Sequence, residues 1–379
     1  MKRPQVLALV LAGGEGGRLA PLTDERAKPV TPFAGSYRLI DFPLSNCVHS
    51  GVNDVWVIQQ YEPHELTKQL ANGRPWDLDR TRGGLRILHP YLGDSESGWY
   101  EGNADAIYRN RKVIADEDPD VLLVLSADHV YKLDYADVVA DLLESGAAVT
   151  MVTTTVPKED ASRYGVVEVD GDGKVREFEY KPDDPKSGVV TTEVFAYDAR
   201  RLLQTLDELA DEGDSSGLSD FGHELLPRLV DEGSARGFEL DGYWRDVGTI
   251  ESYWDAHMDL LEAEPRLTLD DPAWPILTTG LQRSPARVEA SATLDGVLVA
   301  AGAQVRGTVV RSVLAPGVVV ERGAEVRDAI LLHDSYVGAG ARVTRAILDE
   351  QAHVEGDAVV EGTDEVAVVA TGARVSAAA

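Results

Sequence analysis

A short phrase recurs near the end of this chain, and its spacing leaves few folds open. It reads Gly302-Ala303-Gln304-Val305, Gly323-Ala324-Glu325-Val326, Gly340-Ala341-Arg342-Val343 and Gly372-Ala373-Arg374-Val375. The second and third copies are offset by 17 residues. The same offset relates Leu314, Leu331 and Leu348, and also Val313, Ile330 and Ile347. Val320 and Val326 lie six apart, as do Val337 and Val343. Apolar residues every six, stacked in coils of about eighteen, describe a parallel β-helix built from hexapeptide repeats. Each coil turns its corners on small residues and points Val, Ile or Leu inward. An antiparallel sandwich with many turns is the competing reading, and the 17-residue self-similarity counts against it. A β-helix serves as scaffold or oligomer contact, so the chemistry is sought upstream.

Upstream, short apolar runs alternate with amphipathic segments. Val6–Leu11, Val55–Ile58, Val121–Leu125 and Ala148–Thr153 are predicted strands; Pro63–Ala71, Ala104–Ala115 and Tyr135–Glu144 are predicted helices. That alternation argues for an α/β unit with a mixed, mostly parallel sheet covered on both faces. Val166–Asp170 and Lys174–Phe178, joined by Gly171-Asp172-Gly173, form a predicted hairpin. A helix over Ile250–Glu262 closes this half, and Pro265 and Pro272–Pro275 mark a linker. The expected division is 1–262, a linker at 263–285, and the β-helix at 286–379.

The charge narrows the function. The 36 Lys+Arg against 65 Asp+Glu leave a net charge of −29, which repels a polyphosphate nucleic acid. A small anion is still admissible, because a few local cations beside a metal ion override the global field. A hydrophobic fraction of 44% is too high for a disordered acidic chain. Cys47 is the only cysteine, so no intramolecular disulfide can form, and it reads as a packing residue. No stretch approaches the ~18 apolar residues of a membrane span. Lys2 and Arg3 precede the apolar run Val6–Ala12, but the glycines that follow at once fit a buried strand entering a loop better than a leader. The expectation is a cytoplasmic, soluble protein.

That strand runs into Ala12-Gly13-Gly14-Glu15-Gly16-Gly17-Arg18-Leu19. Glycines after a strand let backbone N–H groups close on phosphate oxygens without Cβ clashes. The spacing fits neither the dinucleotide fingerprint, because position 19 is Leu19, nor the P-loop, because Arg18 and Leu19 stand where Gly-Lys is required. Arg18 and Lys28 flank the loop, and two such cations in so acidic a chain point to a triphosphate. Pro29 and Pro32 stiffen the segment that carries Lys28. Asp128 follows the strand Val121–Leu125, at the end where ligands sit in open α/β sheets.

These segments, with Arg26-Ala-Lys-Pro29, Tyr37-Arg-Leu-Ile-Asp-Phe-Pro-Leu-Ser-Asn46, Gln60-Tyr61, Trp99-Tyr100-Glu-Gly-Asn-Ala-Asp-Ala106, Leu125-Ser-Ala-Asp-His-Val-Tyr131, Lys181-Pro182 and Gly242-Tyr-Trp-Arg-Asp-Val-Gly-Thr249, resemble the bacterial glucose-1-phosphate adenylyltransferases (ADP-glucose pyrophosphorylases). The likeness runs in family order along nearly the whole chain. It implies a Rossmann-like catalytic domain followed by a left-handed β-helix. It also implies transfer of a nucleoside monophosphate from an NTP, ATP or GTP, to a sugar 1-phosphate, with Mg²⁺ as cofactor. By resemblance Asp128 and Asp246 hold the metal, and Arg18 and Lys28 neutralise the triphosphate. Leu11, Ala12, Gly13, Gly14 and Gly16 cradle the nucleotide, and Gln60 with Gly102, Asn103, Ala104 and Asp105 hold its base and ribose. Tyr100, Gly165, Tyr180, Lys181, Thr192, Glu193 and Trp244 surround the sugar phosphate, with Lys181 gripping its phosphate. A homo-oligomer, tetramer or dimer, is expected.

The resemblance breaks at the sugar site. The family's glutamate before the sugar-site lysine is Tyr180 here, and its Ser-Met-Gly is Thr191-Thr192-Glu193. One reading is a pocket reshaped for another polyol phosphate: an amino sugar, or a cyclitol 1-phosphate such as valienol 1-phosphate in aminocyclitol antibiotic biosynthesis. The other is that Glu193 does the lost glutamate's work on glucose 1-phosphate. Glu25 stands where activator-responsive members can carry lysine, which puts allosteric control by glycolytic intermediates in doubt. A catalytically dead regulatory subunit is disfavoured because Arg18, Lys28, Asp128 and Asp246 are all present. A β-helix acyltransferase using His333 or His353 leaves the N-terminal motifs unexplained.

Overall fold

The computed structural model describes residues 4–14, 16–90, 99–212, 218, 220–280 and 282–377. In the first half, β1 (Val6–Ala12), α1 (Asp41–His49), β2 (Asp54–Gln59), α2 (Pro63–Leu70) and β3 (Gly84–Leu88) are followed by α3 (Asn103–Asp116) and β4 (Val121–Ser126). β5 (His129–Tyr131), α4 (Tyr135–Ser145), β6 (Val149–Thr155), β7 (Gly165–Val169), β8 (Val175–Tyr180) and β9 (Val189–Asp198) come next. α5 (Ala199–Asp211), α6 (Leu225–Asp231), β10 (Ala235–Glu239), β11 (Trp244–Asp246) and α7 (Ile250–Asp259) complete it. The sheet runs β8-β7-β9-β4-β1-β2-β3, with β6 also on β9 and β10 on β6. β4-β1-β2-β3 is all parallel, as is β6–β10, whereas β9 lies antiparallel to its neighbours, so the sheet is mixed. Apolar side chains on the two faces of β1 enter different cores: Leu7 and Leu9 one, Ala8 and Val10 the other. No helix among the described residues is long and apolar enough to cross a membrane.

The C-terminal strands stack as a parallel β-helix. The 17-residue spacing becomes lateral register: Val313 faces Ile330 and Ile330 faces Ile347, while Leu314, Leu331 and Leu348 form the next column. Gly302, Gly323, Gly340 and Gly372 of the recurring phrase all turn corners at φ between +64° and +81°, where an L side chain is strained. The coil length is not constant. Leu298 faces Val313 and Ile347 faces Val368, so the first coil is shorter and the last longer than the sequence period.

One face of the β-helix is covered by α7. Tyr253, Trp254 and Met258 share a core with Ile330, Leu332 and Ile347. Trp254 donates its indole N–H to the Asp328 carbonyl at 2.8 Å, and Arg26 pairs with the fully buried Asp349 at 2.9 Å. Among its described residues the segment between the halves carries no regular element, yet it is fastened to α1: Trp274 donates to Asn46 at 2.9 Å, and the Leu277 N–H to Ser45 Oγ at 2.8 Å.

His257 links α7 to the loop before α1. Its Nδ1–H donates to the Tyr253 carbonyl at 2.8 Å, and Nε2 accepts the Ala34 N–H at 3.0 Å. Complete burial lowers its pKa to about 4, outweighing the Tyr253 hydrogen bond. The unfolded chain therefore takes up this proton first, near 6.5, and the stability His257 confers is lost as pH falls from there toward 4. Full coupling is worth about 3 kcal/mol. His257→Gln should narrow its stability gap to the wild type by that order between pH 7 and pH 4, measured by urea unfolding; a constant gap would contradict this.

Candidate active site

Three stretches of chain meet at the carboxyl ends of β1 and β4. β1 delivers the glycine loop. A Cβ on Gly14 would meet nothing within 4 Å, so the backbone there borders open space. Gly16 sits at φ +75° with Thr23 3.1 Å from where a Cβ would be, and Thr23 Oγ1 donates to its carbonyl at 2.9 Å. Lys28 opens the single turn Lys28–Val30 and is buried. Asp128 lies between β4 and β5. β11 pairs antiparallel with β5 and sets Asp246 opposite His129.

This pairing concentrates charge. Lys28 forms an ion pair with Asp128, and its Nζ lies 3.7 Å from Asp246 Oδ1. Ser126 Oγ also donates to Asp128. The buried His129 donates Nδ1–H to the Thr192 carbonyl at 3.0 Å. Its Nε2 faces Asp128 at 3.6 Å, Asp246 at 3.7 Å and Glu193 at 4.0 Å. Arg163 Nη2 reaches Asp246 at 3.5 Å. Burial works against charge on Asp128, but Lys28, His129 and the hydrogen bonds hold its pKa well below the usual carboxylate range. Burial likewise works against the Lys28 and His129 cations, and the surrounding carboxylates raise both. Partial desolvation, with Asp128 and Asp246 nearby, raises Glu193, although its side chain is about half exposed at the cavity. Asp128, His129 and Glu193 each present a ligand atom within 4.8 Å of the others. With Asp246 added, the oxygen donors suit a hard divalent cation, and the Lys28 ammonium is the charge that now stands between them.

A cavity of about 150 Å³ opens beside this cluster. Leu11, Ala12, Gly13, Gly14, Lys28, Asn103 and Asp128 are among the residues that line it. Gly165, Tyr180, Lys181 and Glu193 line it as well. Glu193 sits in a bulge of β9 at φ +56°, where glycine is the unstrained choice.

Other expected site residues stand back from the cavity. Gln60 clamps the Tyr100 backbone, accepting its N–H at 2.6 Å and donating to its carbonyl at 3.2 Å. The Tyr100 ring is buried, and its hydroxyl donates to the His89 carbonyl at 3.2 Å. Trp244 packs edge-on against His129 and Tyr164. Thr192 donates to the Val152 carbonyl at 3.1 Å, so it holds β9 and, through its own carbonyl, His129. Asp105 accepts from the Glu101 N–H at 2.9 Å and pairs with Arg109 at 2.7 Å, fixing the start of α3 after Gly102 and the buried Ala104. Arg18 is exposed in the turn Gly17–Leu19; the neighbouring Glu15 lies outside the described residues. Sequence reasoning gave no role to Ser126, His129, Arg163 or Asp220. The first two flank Asp128 in its motif, which is a usable signal, whereas Arg163 arrives from a distant turn with none.

Comparison with known proteins agrees with this layout. Residues 7–263 match the nucleotidyl transferase family model, and residues 284–377 match the GlmU-like C-terminal hexapeptide model. The glucose-1-phosphate adenylyltransferase of Thermomicrobium roseum is 45% identical over 377 residues, covering 95% of this chain and 84% of its own. That of Thermotoga neapolitana is 44% identical over 324 residues, 85% of this chain and 76% of its own. That of Bacillus thuringiensis is 37% identical over 375 residues, 98% and 99%.

Asp128→Asn removes the main partner of a buried ammonium and leaves it the more distant Asp246 and Glu193. Without divalent metal it should cost about 2 kcal/mol of stability, allowing for the partial exposure of Asp128. A thermal unfolding midpoint equal to wild type would contradict the ion pair.

Proposed function

Because this chain belongs to the nucleotidyl transferase family, among the glucose-1-phosphate adenylyltransferases, we propose that it transfers adenylate from ATP to a sugar 1-phosphate, glucose 1-phosphate first, and releases pyrophosphate. The observation that carries this reading is the convergence of Lys28, Asp128 and Asp246 beside a glycine loop that borders open space. The attacking sugar phosphate is already ionised at neutral pH, so the reaction needs no general base. Its barrier lies in bringing two anions together and holding them in line.

Asp128 and Asp246, with Glu193 in reach, would hold Mg²⁺, which supplies Lewis-acid stabilisation of the phosphate charge. Lys28 then exchanges its carboxylate partners for the triphosphate, joined by the exposed Arg18. The N–H groups of the glycine loop orient the α-phosphate, and Asn103 borders the nucleoside side. Lys181 takes the phosphate of the sugar phosphate as a point charge. His129 keeps the carboxylates apart and aimed inward, while its tie to Thr192 fixes its ring.

A second reading concerns the sugar. Glu193 keeps a backbone conformation that favours glycine, at a strain of about 1 kcal/mol. Tyr180 puts a phenol where the family has a carboxylate, and its hydroxyl donates to Asp220 at 2.7 Å. Both observations support, as the second candidate, a pocket altered for another polyol phosphate, an amino-sugar or cyclitol 1-phosphate.

Pyrophosphate release should be measured with ATP, GTP, UTP and dTTP against glucose, glucosamine and cyclitol 1-phosphates. The expected outcome is Mg²⁺-dependent release with ATP, reduced at least about 100-fold in Asp246→Asn. No release with any pair would overturn the assignment. If Tyr180→Glu with Glu193→Gly leaves the sugar preference unchanged, the altered pocket is wrong.

A further inference from the structure

Tyr180 ends β8 with its hydroxyl between two charged groups. It donates to Asp220 Oδ2 at 2.7 Å and accepts from Lys181 Nζ at 2.7 Å. The ammonium also lies 4.5 Å from the centroid of the Tyr180 ring. The backbone makes this possible. Lys181 sits at φ +48°, with its N–H on the Tyr164 carbonyl at 3.0 Å, so the chain folds the lysine back over the preceding ring. The ring itself is clamped. Gly222 leaves room for it, since a Cβ there would overlap the ring, and His223 meets it edge-on at 4.9 Å. One short stretch, 220–223, thus supplies both the slot and the carboxylate. Tyr180, Lys181, Asp220 and Gly222 all line the cavity.

We propose that Asp220 and Tyr180 are positioning residues: a carboxylate–phenol–ammonium relay that holds Lys181 where the phosphate of the sugar phosphate docks. The inference rests on the reading of Lys181 as the phosphate-binding group. A phenol that donates to a carboxylate is a stronger acceptor for the ammonium. One of the three lysine donors is engaged, and two remain for phosphate oxygens. Prepositioning removes much of the rotamer freedom that a free lysine would lose on binding. The neutral hydroxyl also acts as a spacer. A direct Asp220–Lys181 pair would set a carboxylate against the incoming phosphate, whereas the relay orients the lysine and keeps that charge one residue away.

A purely structural Tyr180–Asp220 tie makes different predictions. Tyr180→Phe, Asp220→Asn and the double variant are compared in steady-state pyrophosphate release, with ATP and glucose 1-phosphate or glucosamine 1-phosphate as probes. Each single variant should raise KM for the sugar phosphate about tenfold, as loss of a hydrogen bond to a charged group does. KM for ATP should hold, and kcat should change less than the sugar-phosphate KM. The double variant should be no worse than either single, because both break one relay. Asp220→Glu, which keeps the charge, should recover part of the loss, and it keeps the test available if Asp220→Asn fails to fold. An unchanged sugar-phosphate KM in Asp220→Asn, multiplying effects in the double variant, or parallel rises in both KM values with a lowered unfolding midpoint would overturn the relay. Lys181→Gln separates the two failures. If it leaves the sugar-phosphate KM intact, the reading of Lys181 fails and the relay with it. If it raises that KM while Tyr180→Phe and Asp220→Asn do not, the relay alone fails.

Discussion

The site depends on one electrostatic constraint: several carboxylates crowd a space that cannot stay uncompensated. Asp128, Asp246 and Glu193 all face His129, and Lys28 is the ammonium inserted between the first two. Like charges at such separations would repel by several kcal/mol in a partly desolvated site. The fold therefore has to bring its cation from elsewhere. It does so through the proline-stiffened turn after the glycine loop, so that shaping the loop and neutralising the acids are the work of one segment. The net charge of −29 describes the surface, and the local sign at the cavity is set by a few buried groups.

That segment is tied in turn to the β-helix. Arg26, two residues before Lys28, forms its ion pair with the fully buried Asp349, and Trp254 caps the Asp328 carbonyl. Breaking a buried pair of this kind costs more than forming it gains, because the remaining charge is stranded. The β-helix is thus part of what holds the segment carrying Lys28 in register, and not only an appended scaffold.

Periodicity was legible where one residue type repeats against one face. The 17-residue columns of Val, Ile and Leu became strand register, and the short Val- and Leu-rich runs became β1, β2 and β4. α1 was not legible. Asp41 to Cys47 is buried on every side, so no amphipathic stripe appears, and Pro43, Ser45 and Asn46 disfavour a helix until tertiary contacts hold them. β9 was hidden for a related reason: the bulge at Glu193 breaks its alternation. In the site, motif context located Lys28, Asp128, Lys181 and Asp246. It did not reveal that Tyr100 and Trp244 stand behind the cavity, nor that Asp220 reaches Tyr180, because those facts depend on side-chain direction and on a contact between segments forty residues apart.

In the proposed site the Lys28 ammonium and a divalent cation would compete for the same carboxylates. A Mn²⁺ titration followed by electron paramagnetic resonance, on wild type, Lys28→Met and Asp246→Asn without nucleotide, tests this competition most directly. Lys28→Met should bind Mn²⁺ more tightly than wild type, and Asp246→Asn should bind it more weakly. Equal affinity in all three proteins would contradict it.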